Sequence, residues 1–172
     1  VKIKKGGFHM KTVFFDMDGT IADLYGVPQW LDYIKEQDSY PYIHASPLIN
    51  MEEFRQACQA LKERGYKIGV ISWLAKGSTK EYDKKVRKAK RDWLNMHSIP
   101  VDNLHIVKYG YNKRQVNGQQ GDILIDDEEN NIKQWQSRKL DRVGIKVDGK
   151  NNERIIMNTM KGLINGDVQC MS

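Results

Sequence analysis

Four carboxylates close two short apolar runs of this chain: Asp16 and Asp18 in Val13-Phe-Phe-Asp-Met-Asp-Gly-Thr20, and Asp126 and Asp127 in Asp122-Ile-Leu-Ile-Asp-Asp127. An apolar run of this length between polar turns reads as a buried strand, and open α/β sheets bind ligands at the carboxyl ends of their strands. All four acids therefore fall where a site forms. Two like charges about 4 Å apart repel by roughly 4 kcal/mol at an effective dielectric near 20, so such a cluster needs a proton or a cation to offset it. Oxygen-only ligands with no neighbouring His or Cys favour a hard ion, Mg2+, which keeps waters and takes one or two carboxylates together with substrate phosphate. The four histidines, His9, His44, His97 and His105, have no metal-ligand spacing.

The elements that must position these acids follow from the periodicity. Strands are expected at 12–16, 67–71, 104–107, 123–125 and 143–147, and helices at 51–64, 81–96, 130–136 and 153–163. In the first helix Phe54, Ala57, Cys58 and Leu61 share one face, Asn50 is a natural N-cap before two glutamates, and Gly65 is the stop. Strands alternating with helices imply βαβ units and a mostly parallel sheet. Residues 21–49 break the pattern with Trp30, Tyr33, Tyr40, Tyr42, three prolines and a short helical stretch at 29–37. They read as a small cap inserted after the first strand.

A length of 172 residues with 40% hydrophobic content suits one domain with its own core. Residues 1–9 read as an appended leader before Met10, leaving a single domain over 10–172. Cys58 and Cys170 form neither a disulfide framework nor a metal motif, which fits a reducing, cytoplasmic setting. No stretch approaches the roughly 18 apolar residues of a membrane helix. The net charge is +6, but Lys2, Lys4 and Lys5 lie in the expected leader, so the remaining excess is small. It suits an anionic substrate, and no basic run interleaved with aromatics marks a base-stacking surface.

Asp-x-Asp after the first strand, Ser72 ending the second in Gly69-Val-Ile-Ser72, and Asp126-Asp127 ending the fourth together resemble the haloacid dehalogenase (HAD) superfamily over most of residues 11–148. The implied fold is a Rossmann-like α/β three-layer sandwich with a mostly parallel five-stranded sheet and a small inserted cap. Within that superfamily, the stretch from Ile71-Ser-Trp to Asp127 is most similar to the 5′(3′)-deoxyribonucleotidases. There the motif lysine stands three residues before a helical tryptophan, which selects Lys90 in Lys90-Arg-Asp-Trp93; Lys76, Lys80 and the other lysines of 84–90 compete for the position.

The resemblance implies that Asp16 attacks phosphorus to give an aspartyl-phosphate that water hydrolyses, while Asp18 protonates the leaving oxygen and gives its backbone carbonyl to the metal. Side chains two apart on an extended segment point the same way, so both acids can face one phosphoryl group. Ser72 and Lys90 are expected to bind the phosphate, since phosphoryl transfer is catalysed chiefly by positioning and charge stabilisation. Asp16, Asp18, Asp126 and Asp127 form the expected metal set, either member of the second pair being the direct ligand. Glu128 and Glu129 are better explained as favourable charge in the first turn of a helix. Thr20 and Trp73 are candidate substrate contacts, the cap aromatics are expected mainly to pack the cap, and Lys108, Lys113 and Arg114 are candidates for guiding an anion toward the site, with a solvated loop as the usual explanation.

The expected function is thus a Mg2+-dependent phosphomonoesterase acting on a small phosphorylated substrate, a nucleotide in the first instance. Two alternatives stand beside it: a phosphatase for nucleic-acid ends or another large substrate, and a catalytically weak phosphate-binding or interaction protein.

Overall fold

The computed structural model describes residues 10–116 and 119–167; the expected leader and Cys170 lie outside the described residues. In chain order the elements are β1 (Thr12–Phe15), β2 (Ala22–Asp23), α1 (Trp30–Lys35), α2 (Tyr40–His44), β3 (Ser46–Pro47), α3 (Met51–Glu63), β4 (Lys67–Trp73), α4 (Lys80–Met96), β5 (Asn103–Val107), β6 (Ile123–Asp126), α5 (Glu129–Trp135), β7 (Val143–Lys146) and α6 (Asn152–Asn165). The expected strands and helices agree with these to within two residues at each end.

Strands β5-β4-β1-β6-β7, in that spatial order, form one parallel sheet. The strand period of two sorts its side chains onto two faces. Val13, Phe15, Ile68, Val70, Ile123 and Ile125 pack with Phe54, Cys58 and Leu61 of α3, Trp93 of α4, and Ile156 and Met160 of α6. Phe14, Ile71 and Leu124 pack on the opposite face with Ile132 and Trp135 of α5. The result is the three-layer α/β sandwich. Gly69 in β4 is needed here, because a Cβ at that position would lie 2.2 Å from the Phe14 ring.

The chain winds from β1 outward through β4 and β5, then crosses back to β6 and β7 on the other side of β1. The reversal lies between β1 and β6, so the crevice at their carboxyl ends is the topological switch point. Asp16 follows β1 and Asp126 ends β6, which puts both acids on it. Helix α3 is fixed over β1 by an edge-on contact of Phe15 with Phe54, centroids 5.1 Å apart, and is capped by Asn50, whose side chain accepts from the backbone of Glu52 and Glu53.

Between β1 and α3 the chain forms the small insertion: two short helices, α1 and α2, and the antiparallel ribbon β2-β3. It is docked on α4. The Tyr82 hydroxyl donates to the carbonyl of Asp38 at 2.9 Å, and Trp93 Nε1 donates to the carbonyl of Ala45 at 2.8 Å.

Candidate active site

The turn after β1 is built to bring Asp16 and Asp18 to the crevice. Asp16 N–H donates to the Ile125 carbonyl at 2.8 Å, extending the β1-β6 ladder by one residue, while the Met17 carbonyl accepts from the backbone N–H groups of Thr20, Ile21 and Ala22. Gly19 closes this turn at φ +79°, and a Cβ there would lie 2.5 Å from Asp127 Oδ2 and 2.7 Å from the Tyr25 ring. Only glycine satisfies both the backbone and the space. Asn152, buried at the start of α6, donates to the carbonyls of Gly19 and Thr20 at 2.7 and 3.0 Å and so pins the turn from the opposite side.

Carboxylate oxygens of Asp16, Asp126 and Asp127 lie within 4.8 Å of one another. Asp126 is fully buried; its oxygens accept from the backbone N–H of Glu128 at 2.8 Å and from Asn131 Nδ2 at 3.1 Å. Burial pushes the Asp16 carboxyl well above the usual carboxylate range, the nearby Lys113 opposes this, and the neighbouring Asp126, Asp18 and Asp127 add to it. Asp127 is pushed up to about 6, first by burial and then by Asp126. These three oxygens fit a hard cation, since they form a hard-donor set with more negative charge than its surroundings accommodate. The Asp18 side chain pairs with Lys90; its expected part in the metal set is the backbone carbonyl.

Two lysines meet the acids, and they do so separately. Lys113, in a 3-10 turn between β5 and β6, is 1% exposed; it donates to Asp16 and, at 2.6 Å, to Asp126 Oδ2. Burial would lower its pKa, but the charges of Asp16 and Asp126 outweigh this and hold it above the usual lysine value. The sequence reading put Lys113 in a solvated loop, and the structure corrects that. Lys90 on α4 is also fully buried, and it donates to Asp18, to Ser72 Oγ at 2.7 Å and to the Trp73 carbonyl at 2.8 Å.

A cavity of about 340 Å3 opens onto this centre. Its floor carries Asp16, Asp18, Lys113, Asp126 and Asp127, and its walls are Leu24, Tyr25, Trp30, Leu31 and Ile34 from the insertion, facing Trp73, Leu74 and Tyr109 from the sheet side. Trp73 thus lies where a substrate contact was expected. Its indole N–H donates to the Tyr111 carbonyl at 2.9 Å, and its ring packs beside Tyr109 and Lys113. Ser72 and Lys90 lie just beneath and are absent from the lining. Thr20 is fully buried and donates to Asp127 Oδ1 at 3.3 Å, supporting that carboxylate.

The cap aromatics divide. Trp30 and Tyr42 reach the cavity, whereas Tyr33, Tyr40 and His44 form a stacked ladder beside a separate hollow. What sequence reasoning missed is the burial of Lys113 against Asp16 and Asp126. Its one local signal is the turn Asn112-Lys-Arg, in which the Asn112 side chain accepts from the backbone of Arg114 at 3.0 Å.

Comparison with known proteins bears on this centre. A family model described as 5′ nucleotidase, deoxy (Pyrimidine), cytosolic type C protein matches residues 39–159, a span that includes Ser72, Lys90, Lys113, Asp126 and Asp127. A chain of the solved Pnkp1/Rnl/Hen1 complex is similar in fold, with a TM-score of 0.52 at 19% identity over 85% of this chain and 50% of that one. The present chain therefore spans about half the length of that structural relative. Comparison with curated protein sequences gives no match. Among the described residues, no helix is long and apolar enough to cross a membrane.

Proposed function

We propose that this chain, which belongs to the cytosolic type C 5′-nucleotidase (NT5C) family and with it to the HAD-type phosphoric monoester hydrolases, hydrolyses nucleoside monophosphates through an aspartyl-phosphate. One observation carries the reading: Asp16 sits beside a buried lysine and a second acidic strand end, at the floor of a cavity walled by aromatic side chains. The floor suits a phosphoryl group. The walls suit a base, which stacks on Trp73, Tyr109, Tyr25 or Trp30.

In this reading an oxygen of Asp16 attacks phosphorus. The P–O bond to the leaving alcohol breaks as Asp18 donates a proton to that oxygen, and Asp18 then takes a proton from the water that hydrolyses the acyl phosphate. Lys113 offsets charge on the phosphoryl oxygens and holds Asp16 in place; Ser72 is the neutral donor on the neighbouring strand end. Asp16, Asp126 and Asp127 would hold Mg2+, whose charge would offset that of the transferring phosphoryl group. A cytoplasmic location belongs to the same reading, supported by the family's description as cytosolic.

The test is phosphate release from deoxy- and ribonucleoside 5′- and 3′-monophosphates, sugar phosphates and 5′- or 3′-phosphorylated oligonucleotides, by wild type and Asp16→Asn, with Mg2+ or EDTA. Release from mononucleotides that needs both Mg2+ and Asp16 is the expected result. Substantial turnover by Asp16→Asn removes Asp16 as the nucleophile, and release confined to oligonucleotides moves the activity to nucleic-acid ends.

A further inference from the structure

Lys90 was expected to touch the phosphate, yet its surroundings suit a different task. Its ammonium is fully buried, and every one of its donors has a partner within the protein. An ammonium has three protons to donate, and here Asp18, Ser72 Oγ and the Trp73 carbonyl take one bond each. A fourth contact is non-directional: the Tyr42 ring of α2, with its centroid 4.8 Å from Nζ. Nothing is left over for a phosphoryl oxygen. The Ser72 hydroxyl has one proton, and with Lys90 occupying its acceptor side, that proton is kept for donation.

We propose that Lys90 is a positioning residue that links the cap to the phosphoryl centre: seated under Tyr42, it fixes the Asp18 carboxylate and presets the Ser72 hydroxyl as a donor, without itself binding phosphate. The inference rests on the phosphatase reading above and deepens it. The two lysines of the site then divide their work, with Lys113 on the cavity floor beside Asp16 and Lys90 beneath the other two groups.

The geometry makes the role separable from general structural support. Lys90→Met keeps the length and apolar stem of the side chain and removes only the ammonium. With a nitrophenyl phosphate ester and Mg2+, kcat is expected to fall roughly tenfold or more, because preset donors are worth that much at a transferring group, while KM and the inhibition constant of inorganic phosphate stay within about threefold. Ser72→Ala is expected to cost kcat on its own but to add less than about threefold in the Lys90→Met background, since both changes remove the same preset donor. A rise in KM and in the phosphate inhibition constant with kcat retained makes Lys90 a phosphate ligand and overturns the proposal; so does a fully additive double variant.

A second measurement needs neither the Lys90→Met variant nor turnover. Nitrogen-15 NMR of the lysine ammonium groups in wild type should show Lys90 protected from solvent exchange, with its signal displaced by Ser72→Ala. An ammonium exchanging at the rate of the surface lysines refutes the positioning role. If wild type releases no phosphate from any ester, the phosphatase reading fails, and the NMR result alone then decides whether Lys90 holds Asp18 and Ser72.

Discussion

Replacing Lys113 with methionine should expose how much of this fold depends on charge balance at the crevice. The ammonium is 1% exposed and bonds both Asp16 and Asp126, which are themselves buried. Removing one partner of a buried ion pair costs roughly 3–5 kcal/mol, because the other charge is left without compensation. A folded domain holds only about 5–15 kcal/mol in total, so the loss is a large share. For a chain of this size, 1 kcal/mol moves the midpoint by about 2–4 °C, which translates to a fall of about 6–20 °C in Lys113→Met. Part of that loss should be recoverable. A divalent cation bound by Asp16, Asp126 and Asp127 stabilises by mass action, about 2.7 kcal/mol at one hundred times its dissociation constant. In the variant it offsets charge that Lys113 no longer covers. Thermal unfolding with and without millimolar Mg2+ measures both quantities: the variant should melt well below wild type in EDTA and gain more from Mg2+ than wild type does. A variant that melts within 2 °C of wild type in EDTA, or whose gain from Mg2+ equals that of wild type, refutes the charge-balance argument.

Gly19→Ala should destabilise by about 1–3 kcal/mol and impair turnover, since the new Cβ meets Asp127 and Tyr25 as well as the φ of +79°. Gly77→Ala, at φ +69° with nothing within 4 Å of the new atom, should show the backbone strain alone, so urea unfolding of the pair isolates the steric part. Burial acts to raise the Asp102 carboxyl, but the Ile68 N–H and Lys62 outweigh it and hold the group below its usual range. Its contribution is therefore complete above the unfolded-state value near 3.9 and is lost as pH falls through the lower folded value, so Asp102→Asn should be less stable at pH 7 and converge on wild type in acid. Tyr82→Phe, which deletes the 2.9 Å bond to the Asp38 carbonyl, should cost about 0.5–1.5 kcal/mol in denaturant unfolding.

The parts of this molecule that the sequence made legible are those governed by local periodicity. The runs ending at Asp16 and Asp126 are strands because their apolar residues are contiguous and buried on both faces, and α3 and α4 carry apolar stripes at helical spacing. The insertion was legible from its composition, but which of its aromatics face the site was not: Trp30 and Tyr33 sit three apart on one short helix, and only Trp30 lines the cavity. Lys113 was hidden for a physical reason. Its turn has no periodicity, and its burial is produced by distant groups. Arg142 donates to the Arg114 and Gln119 carbonyls at 3.2 and 3.3 Å, while Asp122 accepts from Thr12 N–H at 2.7 Å. These long-range bonds tie the described residues around Lys113 to Thr12 and Arg142, and no window of the sequence contains them.

The same long-range closure explains why the site needs two lysines where the sequence suggested one. Four carboxylates around one crevice cannot all be held by a single ammonium: Lys113 reaches Asp16 and Asp126, Lys90 reaches Asp18, and Asp127 is left with the Thr20 hydroxyl. Burial and the neighbouring Asp126 push the Asp127 carboxyl up to about 6, and the remaining negative charge gathers where Asp16, Asp126 and Asp127 converge. A cation entering there finds the least compensated oxygens. A phosphate entering the cavity should meet Lys113 on the floor, because Lys90 has all its donors engaged. Binding and chemistry should therefore separate between the two lysines. Loss of Lys113 removes a charge that the phosphoryl oxygens meet, and should weaken both substrate affinity and rate. Loss of Lys90 leaves that encounter intact and disorders only Asp18 and Ser72, so its effect should fall on the rate.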